Sequence, residues 1–205
     1  MLFLHAVIVA ATLQHADTAN SGPADISEVD AINCRLDVPG YMQFAMAIDG
    51  EEKLAQKRHW KRIASGNAFM NEYELPQPIT VAGAYSTRRI AFTGDAILAI
   101  LDLADPATVA RSEQVDNATS AEPMIDALVE TGKMARAQAE AAVSFRKFLG
   151  ERILKDVTEP AGKDESYGSH MVVARSISNA TTHPGKTFYG CSYRFEMLDK
   201  DGAPL

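Results

Sequence analysis

The segment KTFYGCSYRFEML, Lys186 to Leu198, constrains this chain more than any other. From Phe188 its residues alternate. Tyr189, Cys191, Tyr193, Phe195 and Met197 share one face, and Gly190, Ser192, Arg194 and Glu196 share the other. Period-two alternation marks a half-buried strand. A helix over the same residues would carry aromatic and β-forming side chains around most of its circumference.

This strand decides the meaning of the residues before it. ATTHPGKT, Ala180 to Thr187, spells the loose phosphate-loop pattern. Such a loop binds phosphate because its amides converge with the N-terminus of a following helix, and its Lys reaches the outer phosphates. Here a strand follows, so Pro184 and Gly185 read as a hairpin turn after SHMVVARSISNA. AILAILD, Ala96 to Asp102, resembles an apolar strand ending in a magnesium-binding Asp. It lies upstream of Gly185-Lys186-Thr187, the reverse of the usual order. A nucleotide-binding protein using Ala180–Thr187 is therefore the last of three functional readings.

Elsewhere the periodicity is mixed. In EVDAINCRLDV, Ile32, Cys34, Leu36 and Val38 share one side of an expected first strand. In YMQFAMAID, Met42, Phe44, Met46 and Ile48 share one side of a second. A short helix over GEEKLAQKRHW follows, then an extended segment that Pro76 and Pro78 confine to an edge or a break. RRIAFTGDAILAILDL reads as a hairpin about Gly94-Asp95, its second arm covered on both faces. DPATVARSEQ opens with a helix cap and first-turn proline. EPMIDALVETGK, stopping at Gly132, and ARAQAEAAVSFRKFLG, ending near Gly150, form a helical hairpin. Three strands close the chain. Strands and helices cluster without alternating, which predicts an α+β fold with a mainly antiparallel sheet. The helical hairpin is inserted before the last three strands.

Residues 1–16, MLFLHAVIVAATLQHA, carry no Lys, Arg, Asp or Glu. The apolar run is too short to span a bilayer and suits the core of a secretory signal, although a basic start is missing. Residues 17–28 read as a flexible lead-in, and 29–205 as one α+β domain. The expected localisation is periplasmic or secreted. The net charge of −7 disfavours nucleic acid as a partner.

There are two cysteines, Cys34 and Cys191, each on the inward side of its expected strand, the first and the last. An even count without Cys-x-x-Cys in an exported chain predicts a structural disulfide, with two buried thiols as the alternative. His59, His170 and His183 show no metal-ligand spacing, and no metal or cofactor is expected. His183, before Pro184, is expected in an exposed turn. Glu72 and Glu74 share a strand face and could supply paired carboxylates for glycoside chemistry, but are expected to be solvated.

KRHWKR, Lys57 to Arg62, concentrates positive charge around the single Trp. Lys57, Arg58, Trp60, Lys61 and Arg62 could contact an anionic partner; as a plain helix end, Trp60 would instead pack inward beneath the basic stems. Arg88, Arg89, Arg175 and Arg194 lie on expected strands and could line an anion-binding concavity. No nucleophile is identifiable. The favoured function is a non-catalytic binding or structural role in the cell envelope, with an unknown envelope or secreted partner. A small secreted hydrolase with unidentified catalytic residues is the alternative.

Overall fold

The computed structural model describes residues 22–143 and 145–205. The apolar run expected to be a signal lies outside them. Seven strands form one antiparallel sheet: β1 (Lys61–Ile63), β2 (Asn71–Val81), β3 (Tyr85–Phe92), β4 (Ala96–Leu101), β5 (Leu149–Glu159), β6 (Gly168–Ser178) and β7 (Thr187–Leu198). Their order is β1-β2-β3-β4-β7-β6-β5. The first four strands meander to β4. The chain then crosses through α4 (Ala107–Glu113), α5 (Glu122–Glu130) and α6 (Arg136–Ala142) to the far edge, and meanders back until β7 pairs with β4. The α+β class and the antiparallel sheet are as the sequence predicts.

The two strands expected first are helices. α1 (Glu28–Ile32) begins where the Ser27 side chain accepts from Val29 N, and Cys34 lies beyond its end at φ 59°. α2 (Val38–Asp49) begins where Asp37 accepts from Gly40 N at 2.8 Å, with Pro39 in its first turn. Asp then Pro is a helix-start signal. The apolar residues of this stretch satisfy both periods at once. The helical set Val38, Tyr41, Phe44 and Ile48 is the one buried, whereas Met46, which alternation placed inward, is 74% exposed. The expected short helix is a single turn, α3 (Leu54–Lys57), and it follows a helix rather than a strand.

The end of the expected flexible lead-in is structured. Pro23–Asp25 form a 3-10 turn, and Arg58 donates to the carbonyls of Ala24 and Ile26. α6 stops at Ala142, well before Gly150, and Phe148 already bonds to Asn179 just before the start of β5 (Leu149–Glu159). Its N–H donates to the Asn179 side chain and its carbonyl accepts from Asn179 N, extending the β5–β6 ladder.

The main core lies between α1–α2 and one sheet face. Tyr41 stacks on Tyr193 at 4.2 Å, and Phe44, Phe92, Tyr73 and Trp60 form an aromatic chain with centroids about 6 Å apart. Every residue of β4 is buried, its second face against a smaller cluster that includes Met70, Ala91 and Phe188. Over that second face lie residues 64–70 and 179–186, which approach each other at Gly66 and Thr182.

Candidate functional site

The Gly185-Lys186-Thr187 turn joins β6 to β7 in an antiparallel hairpin, with Ser178 opposite Phe188. Gly185 takes φ +71°, a conformation that suits glycine. Lys186 pairs with the carboxylate of Asp102, at the end of β4. The residues after the turn are strand, so no helix N-terminus faces it. The lysine and the aspartate that suggested a nucleotide site are bonded to one another.

His183 is buried, contrary to the exposed position expected of it. Its Nε2 donates to Glu72 Oε1 at 2.8 Å, and its Nδ1 lies 2.9 Å from the Thr182 hydroxyl. Its ring meets the edge of Phe188. Glu72 is not solvated either. It is 1% exposed, and Arg89 donates to its second oxygen at 2.6 Å. Burial pushes the Glu72 carboxyl up, but donors from Ser65, Arg89 and His183 outweigh that and hold it below the usual carboxylate range. The alternation of β2 explains the placement: Tyr73 faces the main core, so Glu72 faces the second one. Hydroxyl, imidazole and carboxylate stand in the order of a proton relay. Three surface hollows of about 250, 350 and 380 Å³ are lined without a histidine. The arrangement holds residues 179–186 to the sheet.

The basic run is largely neutralised within the fold. Lys57 pairs with Glu52, Arg58 with Glu28 and Arg62 with Asp49. Trp60 is buried, with the Arg58 guanidinium over its ring and over Phe44. Lys61 is exposed on β1. The strand arginines do not converge on one concavity. Arg88 faces Glu74, Arg89 Glu72, Arg194 Glu151, and Arg175 is buried beside Glu113 over the Tyr189 ring.

The Cys34 and Cys191 sulfurs are bonded, with Cα atoms 5.3 Å apart. The bridge ties the turn after α1, and not a first strand, to β7. His170 lies between carboxylates across three strands, 2.9 Å from Asp156 on β5 and 3.6 Å from Glu196 on β7. His59 is exposed. Among the described residues no three His, Cys, Asp or Glu side chains converge to hold a metal ion, and no helix is long and apolar enough to cross a membrane.

The sequence pattern does not reveal the open end of the sheet. Tyr193 is buried under Tyr41, but Phe195, two residues further along the same face, is 46% exposed. Met197 and Tyr167 are similarly bare. α2 begins only at Val38, beside Val157 and Met171, and leaves these strand ends uncovered. Two hollows result. One, about 250 Å³, has Val157, Met171 and Val173 as its floor and the start of α2 as its wall. The other, about 380 Å³, lies between Phe195 and Tyr167. Glu159 lines both. Alternation placed Phe195 and Met197 in the core because it marks a strand face without showing how far the covering layer reaches.

No protein-family profile, curated protein or solved structure matches this chain.

Proposed function

We propose that this is an exported protein, periplasmic or secreted, with a non-catalytic binding or structural role in the cell envelope. The observation that carries the binding role is the bare apolar end of β5–β7 on a sheet face that is elsewhere covered by α1 and α2. Exposed large apolar side chains gathered at one end of a sheet face are a mark of interaction sites in folded proteins. The Cys34–Cys191 bridge supports the compartment, since disulfides persist in oxidising surroundings. The apolar run at residues 1–16 supports export.

The test is expression in a fractionated bacterial host, with intact mass measured with and without thiol alkylation before reduction. A photo-crosslinking residue is placed at Phe195 in one sample and at Met124 in another. The expected result is a shortened, unalkylated protein in the periplasm that crosslinks a partner through position 195 and not through 124. Full-length cytosolic protein with two alkylated thiols overturns the compartment. Turnover of ester, phosphate or peptide substrates that Thr182→Val abolishes replaces the binding role with the hydrolase.

A further inference from the structure

We infer that the two hollows flanking Glu159 dock a basic, amphipathic segment of a partner protein, with apolar side chains in the hollows and cationic ones on their rim. The inference rests on the binding role proposed above and specifies the partner's chemistry.

The floor is apolar on both sides of Glu159. In the smaller hollow, Val157 and Met171 stand opposite each other in the β5–β6 ladder. In the larger, Phe195 stands opposite Met171 across the β6–β7 ladder, with Tyr167 beside it. The volumes, about 250 and 380 Å³, stand at the lower end of the range for ligand pockets and are ample for single side chains of a peptide. The rim is acidic. Asp37, Glu159 and Glu165 line the hollows, against one cation, Lys155.

These carboxylates are not neutralised within the fold. Asp37 accepts from the backbone N–H of Gly40 and Glu165 from that of Gly162, and both donors are uncharged. Among the described residues none of the three has an ion-pair partner. Glu28, Asp49 and Glu151 do pair with cations, whereas Glu51 and Glu130, like the rim, have no ion-pair partner among the described residues. An apolar floor within an unpaired acidic rim selects a cationic partner with apolar side chains, and the chain's net charge of −7 steers it there. The same rim repels anionic lipid headgroups.

The test uses short fluorescent peptides in fluorescence anisotropy at physiological salt. One alternates Lys with Leu, a second alternates Lys with Ser, and a third alternates Glu with Leu. Vesicles of equal phosphatidylglycerol and phosphatidylcholine are mixed separately with the protein, without peptide, and sedimented. The Lys-Leu peptide is expected to bind at least about tenfold more tightly than either control. The variant carrying Glu159→Lys and Glu165→Lys is expected to lose about tenfold for that peptide. A variant with Glu51→Lys and Glu130→Lys, remote and exposed, is expected to bind as the parent does.

Equal binding of Lys-Leu and Lys-Ser, or equal loss in the two variants, overturns the inference in favour of general electrostatics. Co-sedimentation of the protein alone with the vesicles overturns it in favour of a membrane surface. All four substitutions are on exposed side chains, so circular dichroism checks folding independently. A partner captured at a different surface while the peptides fail leaves the binding role standing and removes only this inference. Enzymatic turnover with intact peptide binding does the reverse.

Discussion

His183 donates to Glu72 across 2.8 Å and 111 positions of sequence, with both side chains buried. The contact fixes the β6–β7 turn to the second face of the sheet. It also turns a loop that spells a phosphate-binding motif into a structural anchor.

Replacing Glu72 leaves His183 and Arg89 without their acceptor. Glu72→Ala is expected to lower stability by about 3 kcal/mol, the scale for breaking a buried ion pair from one side. Because the folded carboxyl sits below its ordinary value, its contribution is fully present above the unfolded value of about 4.3 and is lost as pH falls through the folded one. Urea unfolding of the parent and Glu72→Gln from neutral to acidic pH reads this directly. Their difference should shrink toward zero on acidification; a constant difference would show that ionisation of Glu72 is not its source.

His170 should titrate above the ordinary histidine value. Its hydrogen bond to Asp156 is the chief cause, and Glu196 adds to it. The raised value gives a contribution that is complete below about pH 6.5 and lost as pH rises through the folded pKa. Proton NMR of the ring should show the elevation, and Asp156→Asn should reduce it more than Glu196→Gln. Titration at the ordinary value in the parent rules out the cross-strand pairing.

The Cys34–Cys191 bridge spans 157 positions. Closing so long a loop is worth about 5 kcal/mol on the chain-entropy model. Guanidinium unfolding of the oxidised protein and of the variant with Cys34→Ala and Cys191→Ala should differ on that scale. A difference below about 1 kcal/mol would mean that the unfolded chain gains little freedom from reduction.

Gly190→Ala is expected to disrupt the junction between the two meanders. A Cβ at this position would come within 2.0 Å of the Ile97 carbonyl oxygen, on the strand with which β7 pairs. Backbone cannot rotate away as a side chain can, so the cost is expected near the upper end of the 1–3 kcal/mol usual for overpacking, about 3 kcal/mol. The chemical-denaturation midpoint measures it. An unchanged midpoint refutes the close approach.

The hairpins, and the helix starts at Asp105 and Glu122, are legible in the sequence because turn chemistry, caps and alternation act over a few residues. β7 and the β3–β4 hairpin fall where those signals place them, and the cysteine count anticipates the disulfide. The stretch from Ile32 to Ile48 is misread because its apolar residues fit both a period of two and one near 3.6. The Asp37–Pro39 helix start was present but local, and packing against β7 buried the helical set.

Sequence alone thus determined the α+β class, the antiparallel hairpins and the rejection of the phosphate loop. Tertiary structure alone decided that Glu72 and His183 are buried together, that the basic run is matched by carboxylates, and that Phe195 and Met197 lie bare. The reason is range. Alternation, caps and turns are set by neighbours in the chain. The partner of Glu72, the carboxylates facing Arg58 and Arg62 and the point where α2 ceases to cover the sheet depend on which distant segments the fold brings into contact.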